Sequence, residues 1–218
     1  MLKLPSDVLG EVGKYLTGYN FINLMTTCWE LLEKLKDMKY TIGNLLFTMN
    51  YKCTINMLKN NNMLRYVKKL SCRECNNITD EMLLCFDDLC YLDISYCKNI
   101  TDKGFRYLKG FHTLDMEGCD QETITDEAFK YLKGIHTLNM GFCNQETITD
   151  ESFKYLKCIH TLDMEWCDQK TITDEAFKYL KGIHTLDMEG CSQETITKKI
   201  FESLKGIHTL DIDGCTQL

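Results

Sequence analysis

From residue 67 onward the apolar residues of this chain recur in a fixed phase. In Ile135-His136-Thr137-Leu138-Asn139-Met140, Leu138 and Met140 stand two apart, which puts both side chains on one face of a strand. Equivalent central leucines are Leu70, Leu92, Leu114, Leu138, Leu162, Leu186 and Leu210, spaced first by 22 and then by 24 residues. Five residues after each comes a cysteine: Cys75, Cys97, Cys119, Cys143, Cys167, Cys191 and Cys215. Past the strand, Ile148-Thr149-Asp150 turns the chain, with Thr149 or Asp150 placed to cap a helix N-terminus. Phe153 and Leu156 follow at i,i+3, on a short helix facing back toward the strand. Gly134 and Gly182 come next, where a left-handed residue ends the helix, and Cys158 takes that place in the fourth repeat.

A fixed period in this range predicts a solenoid. One unit buries too little to offset the cost of ordering it; only stacking makes burial mutual between neighbours. Residues 67–218 are therefore expected to form one α/β solenoid of seven repeats. A parallel sheet should line the concave face, with short helices on the convex side. Seven strands about 4.8 Å apart would make a face roughly 30 Å long. Leu210, Ile212 and Cys215 begin a seventh unit without its turn and helix, and Lys198 replaces the turn aspartate of the earlier repeats. The last strand is expected to be the least protected and a weak self-association edge.

The pattern before residue 67 is different. Val8, Leu9, Val12 and Leu16 follow helical spacing after Pro5, and a second helical run carries Leu24, Cys28, Leu31 and Leu35. Residues 1–40 read as a pair of helices too small to fold well alone, and 41–66 as a linker and N-terminal cap of the solenoid.

At 44% apolar and 26% charged residues, the composition is that of a soluble globular protein. No apolar run approaches the roughly 20 residues of a membrane span. Pro5, Ser6 and Asp7 interrupt the N-terminus too early for a secretory signal. The net charge of −7 is uneven: residues 1–66 carry 8 basic against 5 acidic side chains, and residues 67–218 carry 17 against 27. An acidic repeat region argues against nucleic acid as the main partner and suits a basic protein. Thirteen cysteines, an odd number mostly explained by the repeat, suggest reduced thiols in the cytoplasm or nucleus.

All five histidines, His112, His136, His160, His184 and His208, share one repeat position, each seven residues before a cysteine. That spacing invites a metal or Cys/His nucleophile, but duplication of one unit produces it too. The histidine lies at the strand entrance, while the cysteine turns into the core. Cys72-x-x-Cys75 with Cys85 and Cys90 has a zinc-like spacing, yet Cys72 fills a strand-core position and Cys75 the register position. No phosphate loop or His-Glu metal motif occurs. We expect no enzyme active site, metal or cofactor.

The outward strand residues carry more information. The middle series is Ser71, Asp93, Asp115, Asn139, Asp163, Asp187 and Asp211; two residues on stand Arg73, Ser95, Glu117, Gly141, Glu165, Glu189 and Asp213. This acidic ladder is either a solvated face with copied charges or a docking surface for a basic segment. One step further come Glu74, Tyr96, Gly118, Phe142, Trp166, Gly190 and Gly214. Tyr96, Phe142 and Trp166 are candidate anchors for a partner; the plain alternative is packing against the neighbouring turn.

The LxxLxLxxC strand half and the Cys-to-Ile-Thr-Asp stretch resemble the cysteine-containing class of leucine-rich repeats, over about 70% of the chain. The resemblance implies a horseshoe in which the register cysteine is a small core residue. The N-terminal stretch resembles an F-box: Leu4-Pro5, Asp7, Val8-Leu9, Tyr15-Leu16 and Cys28-Trp29 match its signature. Together the two imply a non-catalytic substrate receptor of a cullin–RING ubiquitin ligase. Leu4, Pro5, Val8, Leu9, Val12 and Leu16 would dock on a Skp-type adaptor, and the repeats would hold the substrate. The alternatives are a plain protein-binding module and a decoy that occupies the adaptor. The near-identical repeats and proline-poor composition are also similar to repeat proteins of giant viruses, which would place the chain in host cytoplasm.

Overall fold

The computed structural model describes residues 67–86, 89–108 and 110–218, together with the backbone of residues 46–48. The F-box-like segment lies outside the described residues.

Among the described residues, eight strands form one parallel sheet in sequence order: β1 (Leu46–Thr48), β2 (Lys69–Ser71), β3 (Tyr91–Asp93), β4 (Thr113–Asp115), β5 (Thr137–Asn139), β6 (Thr161–Asp163), β7 (Thr185–Asp187) and β8 (Thr209–Asp211). The register is that of the repeat, with Leu92 on Leu114, Leu114 on Leu138, and so on to Leu210. The seven strands expected over residues 67–218 are β2–β8, and β1 adds an eighth ahead of them. β1 lies in the segment read as linker and cap, and pairs Phe47 with Leu70. Its sequence hides it, because Lys52 stands five residues after Phe47 where a cysteine was sought.

Among the described residues, six short α-helices alternate with the strands from β2 onward: α1 (Asp80–Leu83), α2 (Asp102–Phe105), α3 (Asp126–Phe129), α4 (Asp150–Phe153), α5 (Asp174–Phe177) and α6 (Ile200–Ser203). In α2–α5 the threonine caps the helix, while α1 and α6 have no side-chain cap. The Thr149 hydroxyl accepts from the Glu151 amide, as Thr125 does from Glu127 and Thr173 from Glu175. The aspartate instead reaches the next repeat. The Asp126 carboxylate accepts both the Thr149 amide and its hydroxyl at 2.8 Å, and Asp150 does the same for Thr173 at 2.7 Å. Each of the first five repeats is thus clamped to its successor by charge-assisted bonds on the convex side.

The core is a set of parallel ladders. Leu114, Leu138, Leu162 and Leu186 are fully buried, as are Met116, Met140, Met164 and Met188. Phe105, Phe129, Phe153 and Phe177 form an aromatic column from the helices. The register thiols are buried from Cys97 to Cys215, and each donates to a strand carbonyl one repeat back; Cys143 reaches Met116 at 3.2 Å. Cys75 is the exception, being only half-buried. A glutamine ladder was not anticipated: Gln145 and Gln169 are buried and donate to the Cys119 and Cys143 carbonyls at 3.0 and 2.8 Å. The recurring Gln-x-Thr-Ile-Thr was the signal for it.

Candidate binding face

The aspartates after the central leucines do more than carry charge. Asp115, Asp163 and Asp187 each accept, through Oδ1, the backbone amide two residues on, at 3.1, 3.1 and 3.0 Å. Asn139 makes the same bond to Gly141 at 2.9 Å. These Asx turns bend the chain out of each strand. Asp93 is a correction to the expected ladder: it is buried, bonded to Ser71 and Ser95, and is not presented to a partner. The remaining carboxylates are crowded. Burial pushes the Asp163 carboxyl up, and Asp187 and Asp115 add to the effect. Asp115 is raised mainly by burial. Glu165 is raised by burial, then by Asp163, Asp187, Glu117 and Glu189.

Beyond each turn the chain enters the left-handed region. Gly118, Gly190 and Gly214 suit it, but Tyr96, Phe142 and Trp166 hold φ values of 58°, 57° and 54°. A side chain there costs about 1–2 kcal/mol relative to glycine. Tyr96 and Trp166 lean forward over Gly118 and Gly190 of the following repeats, so neighbour packing does account for part of each ring. It does not cover them: Phe142 is 38% and Trp166 46% exposed, their rings stacked with centroids 6.3 Å apart. Trp166, Asp168, Glu189, Ser192 and Asp213 wall a groove of about 340 Å³ floored by Gly190 and Gly214. At the other end of the face Tyr96 and Glu117 are engaged internally. The Arg73 guanidinium lies 5.0 Å from the Tyr96 ring centroid and 2.9 Å from Glu117 Oε2, and the Tyr96 hydroxyl donates to Glu117 Oε1 at 2.5 Å.

The histidines form a stack at the opposite end of the strands, with ring centroids 4.4–4.5 Å apart. The register thiols lie in the core, bonded to main-chain carbonyls, so duplication accounts for the His-to-Cys spacing. Burial pushes Cys97, Cys119 and Cys191 up to about 12. Such thiols are poor nucleophiles and poor metal ligands. Among the described residues, no group of three His, Cys, Asp or Glu side chains could hold a metal ion.

No protein-family model matches the chain, and no curated protein sequence matches it. Solved structures do. The TLR13–ssRNA13 complex superposes with a TM-score of 0.61 at 19% identity, over 83% of this chain and 27% of that one. The complex of Rad7 and Elc1 in yeast gives 0.56 at 17%, over 100% and 61%. The Toll–Spätzle complex of Drosophila gives 0.52 at 12%, over 67% and 20%. The fold is a leucine-rich-repeat solenoid. The chain spans less than two thirds of the length of each of these chains, so what they share with it is the fold.

Proposed function

We propose that this leucine-rich-repeat chain is a non-catalytic protein-recognition subunit whose concave face holds a partner with a basic segment. The observation that carries the reading is the exposed Phe142–Trp166 pair, with Asp168, Glu189 and Asp213 lining the groove beside Trp166. Aromatic anchors within polar rims are the usual form of binding hot spots. Toll and Rad7 are each solved in complex with another protein, which suits this use of the fold. TLR13 is solved with a single-stranded RNA, but the excess of acidic side chains here repels a phosphate backbone.

The finer reading is a substrate receptor of a cullin–RING ubiquitin ligase in the cytoplasm or nucleus. It rests on the F-box-like residues Leu4, Pro5, Val8, Leu9, Val12 and Leu16, which lie outside the described residues. Co-purification with a Skp-type adaptor tests it. Replacement of Leu4 and Pro5 by Ala should abolish adaptor capture and leave the circular dichroism of the repeats unchanged. Undiminished capture by that double variant would sink the adaptor reading and leave the plain recognition module. Adaptor capture without ubiquitination of any co-purified protein would identify a decoy.

A further inference from the structure

The first repeats show what the face can hold. Arg73 lies over the Tyr96 ring and pairs with Glu117, and Tyr96 itself leans over Gly118. Beside it, the Lys98 ammonium donates to the Gly118 carbonyl at 2.9 Å and to Asp120 at 2.5 Å. Three repeats on, the ring, the carboxylate beside it and the glycine recur, while Ser192 stands at the Asp120 position. Trp166 takes the place of Tyr96 and leans over Gly190, and Glu189 takes the place of Glu117. Both cations are gone: Gly141 stands at the Arg73 position, and Asp168, bonded to Ser192 at 2.8 Å, stands at the Lys98 position. Glu165 leans over Gly141, and among the described residues no cation pairs with Glu165, Glu189 or Asp213.

We propose that the Trp166 groove binds an arginine side chain of the partner, its guanidinium set on the part of the indole that Phe142 and Gly190 leave exposed and paired with Glu189, the same combination of ring and carboxylate that holds Arg73. The inference rests on the protein-recognition reading of the repeats. Arginine fits better than lysine because its planar, weakly hydrated fork both stacks on a ring and pairs with a carboxylate. Indole is also the stronger cation–π surface of the two rings. Asp168 and Asp213 place further negative charge on the walls. Trp166 pays for its left-handed backbone at a position where three other repeats carry glycine, which a purely structural residue would not require.

The test uses the full chain and a capped peptide of alternating Arg and Gly, with Lys and citrulline counterparts, at about 50 mM salt. Calorimetry should show one saturable site for the Arg peptide, about tenfold tighter than for the Lys peptide, and none for citrulline. Trp166→Gly and Glu189→Gln should each weaken the Arg peptide about tenfold. Trp166→Gly supplies the residue that Gly118, Gly190 and Gly214 already represent, so the fold survives it. Equal binding of the Arg and Lys peptides, untouched by either substitution, would assign the effect to the general acidic field and overturn the proposal; so would no binding. A cellular protein partner captured equally by the wild type and by Trp166→Gly would remove this site while leaving the recognition reading intact.

Discussion

Asn139 is an internal control for the aspartate ladder. Its amide oxygen holds the turn amide as well as the carboxylates of Asp115, Asp163 and Asp187 do, so the charge is not needed for the bend. Charge carries a cost, since carboxylates about 5 Å apart repel by roughly 0.8 kcal/mol even in water. Asp163→Asn should therefore stabilise the chain by about 0.5–1 kcal/mol at pH 7. The pH dependence has a definite sign. Asp163 is raised above its ordinary value of 3.8, so its contribution is most favourable below that value and is lost as pH rises through the folded pKa. Urea midpoints should show the gain at pH 7 and its disappearance near pH 3; a loss at pH 7 would mean the charge is structural. Cys158 is a second anomaly. It holds φ 72° where Gly134 and Gly182 hold 87° and 88°, and a Cβ at those glycines meets nothing within 4 Å. Strain is then the whole penalty, and Cys158→Gly should raise stability by about 1 kcal/mol in the same assay. The thiols should separate by rate. Cys90 and Cys158 are exposed and should react quickly with a maleimide at pH 7, whereas Cys97, Cys119 and Cys191, pushed up to about 12, should react only after unfolding. Rapid native labelling of the register cysteines would contradict their place in the core.

At the scale of elements, the contacts that matter run between repeats. The Asp150–Thr173 clamp joins α4 to the cap of α5, because the Thr173 hydroxyl donates to Asp150 while accepting from the Glu175 amide. Removing either partner strands the other. A double-mutant cycle of Asp150→Ala and Thr173→Ala should give a coupling of about 1–2 kcal/mol. Additivity within about 0.3 kcal/mol would reduce the clamp to an incidental contact. The strands, the short helices, the cysteine register and the left-handed helix ends were all legible in the sequence, since each follows from a periodic apolar position or from glycine. The clamp was not read, and neither was the Asx turn. Asp150 looks like a helix cap when only its own repeat is considered. Its true partner is 23 residues away, one short of the period, and becomes a neighbour only once the repeats stack. The glutamine ladder was missed for the same reason, its acceptors lying 26 residues back. β1 was missed because its cysteine spacing is one residue too long, with Cys53 six residues after Phe47. At the candidate face the sequence placed Phe142 and Trp166 correctly as exposed aromatics, but it could not show that Asp93 is buried or that Arg73 occupies Tyr96 and Glu117.

For the whole molecule, stability is a sum over repeats and the interfaces between them, so it should fall where an interface is one-sided. Leu186 and Met188 in the sixth repeat are fully buried, whereas Leu210 and Ile212 in the seventh are only partly covered. Lys198 also stands where Asp126, Asp150 and Asp174 each hold the next repeat, and it makes no such clamp. Among the described residues β8 pairs on one side only, with β7. Three separate losses thus converge on the same segment: less apolar burial, no convex clamp and an unpaired row of backbone groups. In a sample of residues 1–218 the seventh repeat should open first, at a free energy well below global unfolding. Hydrogen exchange should show amides 209–215 protected far less than 137–143. An edge strand that finds a second copy would recover part of the lost pairing, so protection at 209–215 should also rise with protein concentration. Equal protection of the two segments in a strictly monomeric sample would show that β7 and the Cys215–Met188 bond alone are enough to hold the final strand.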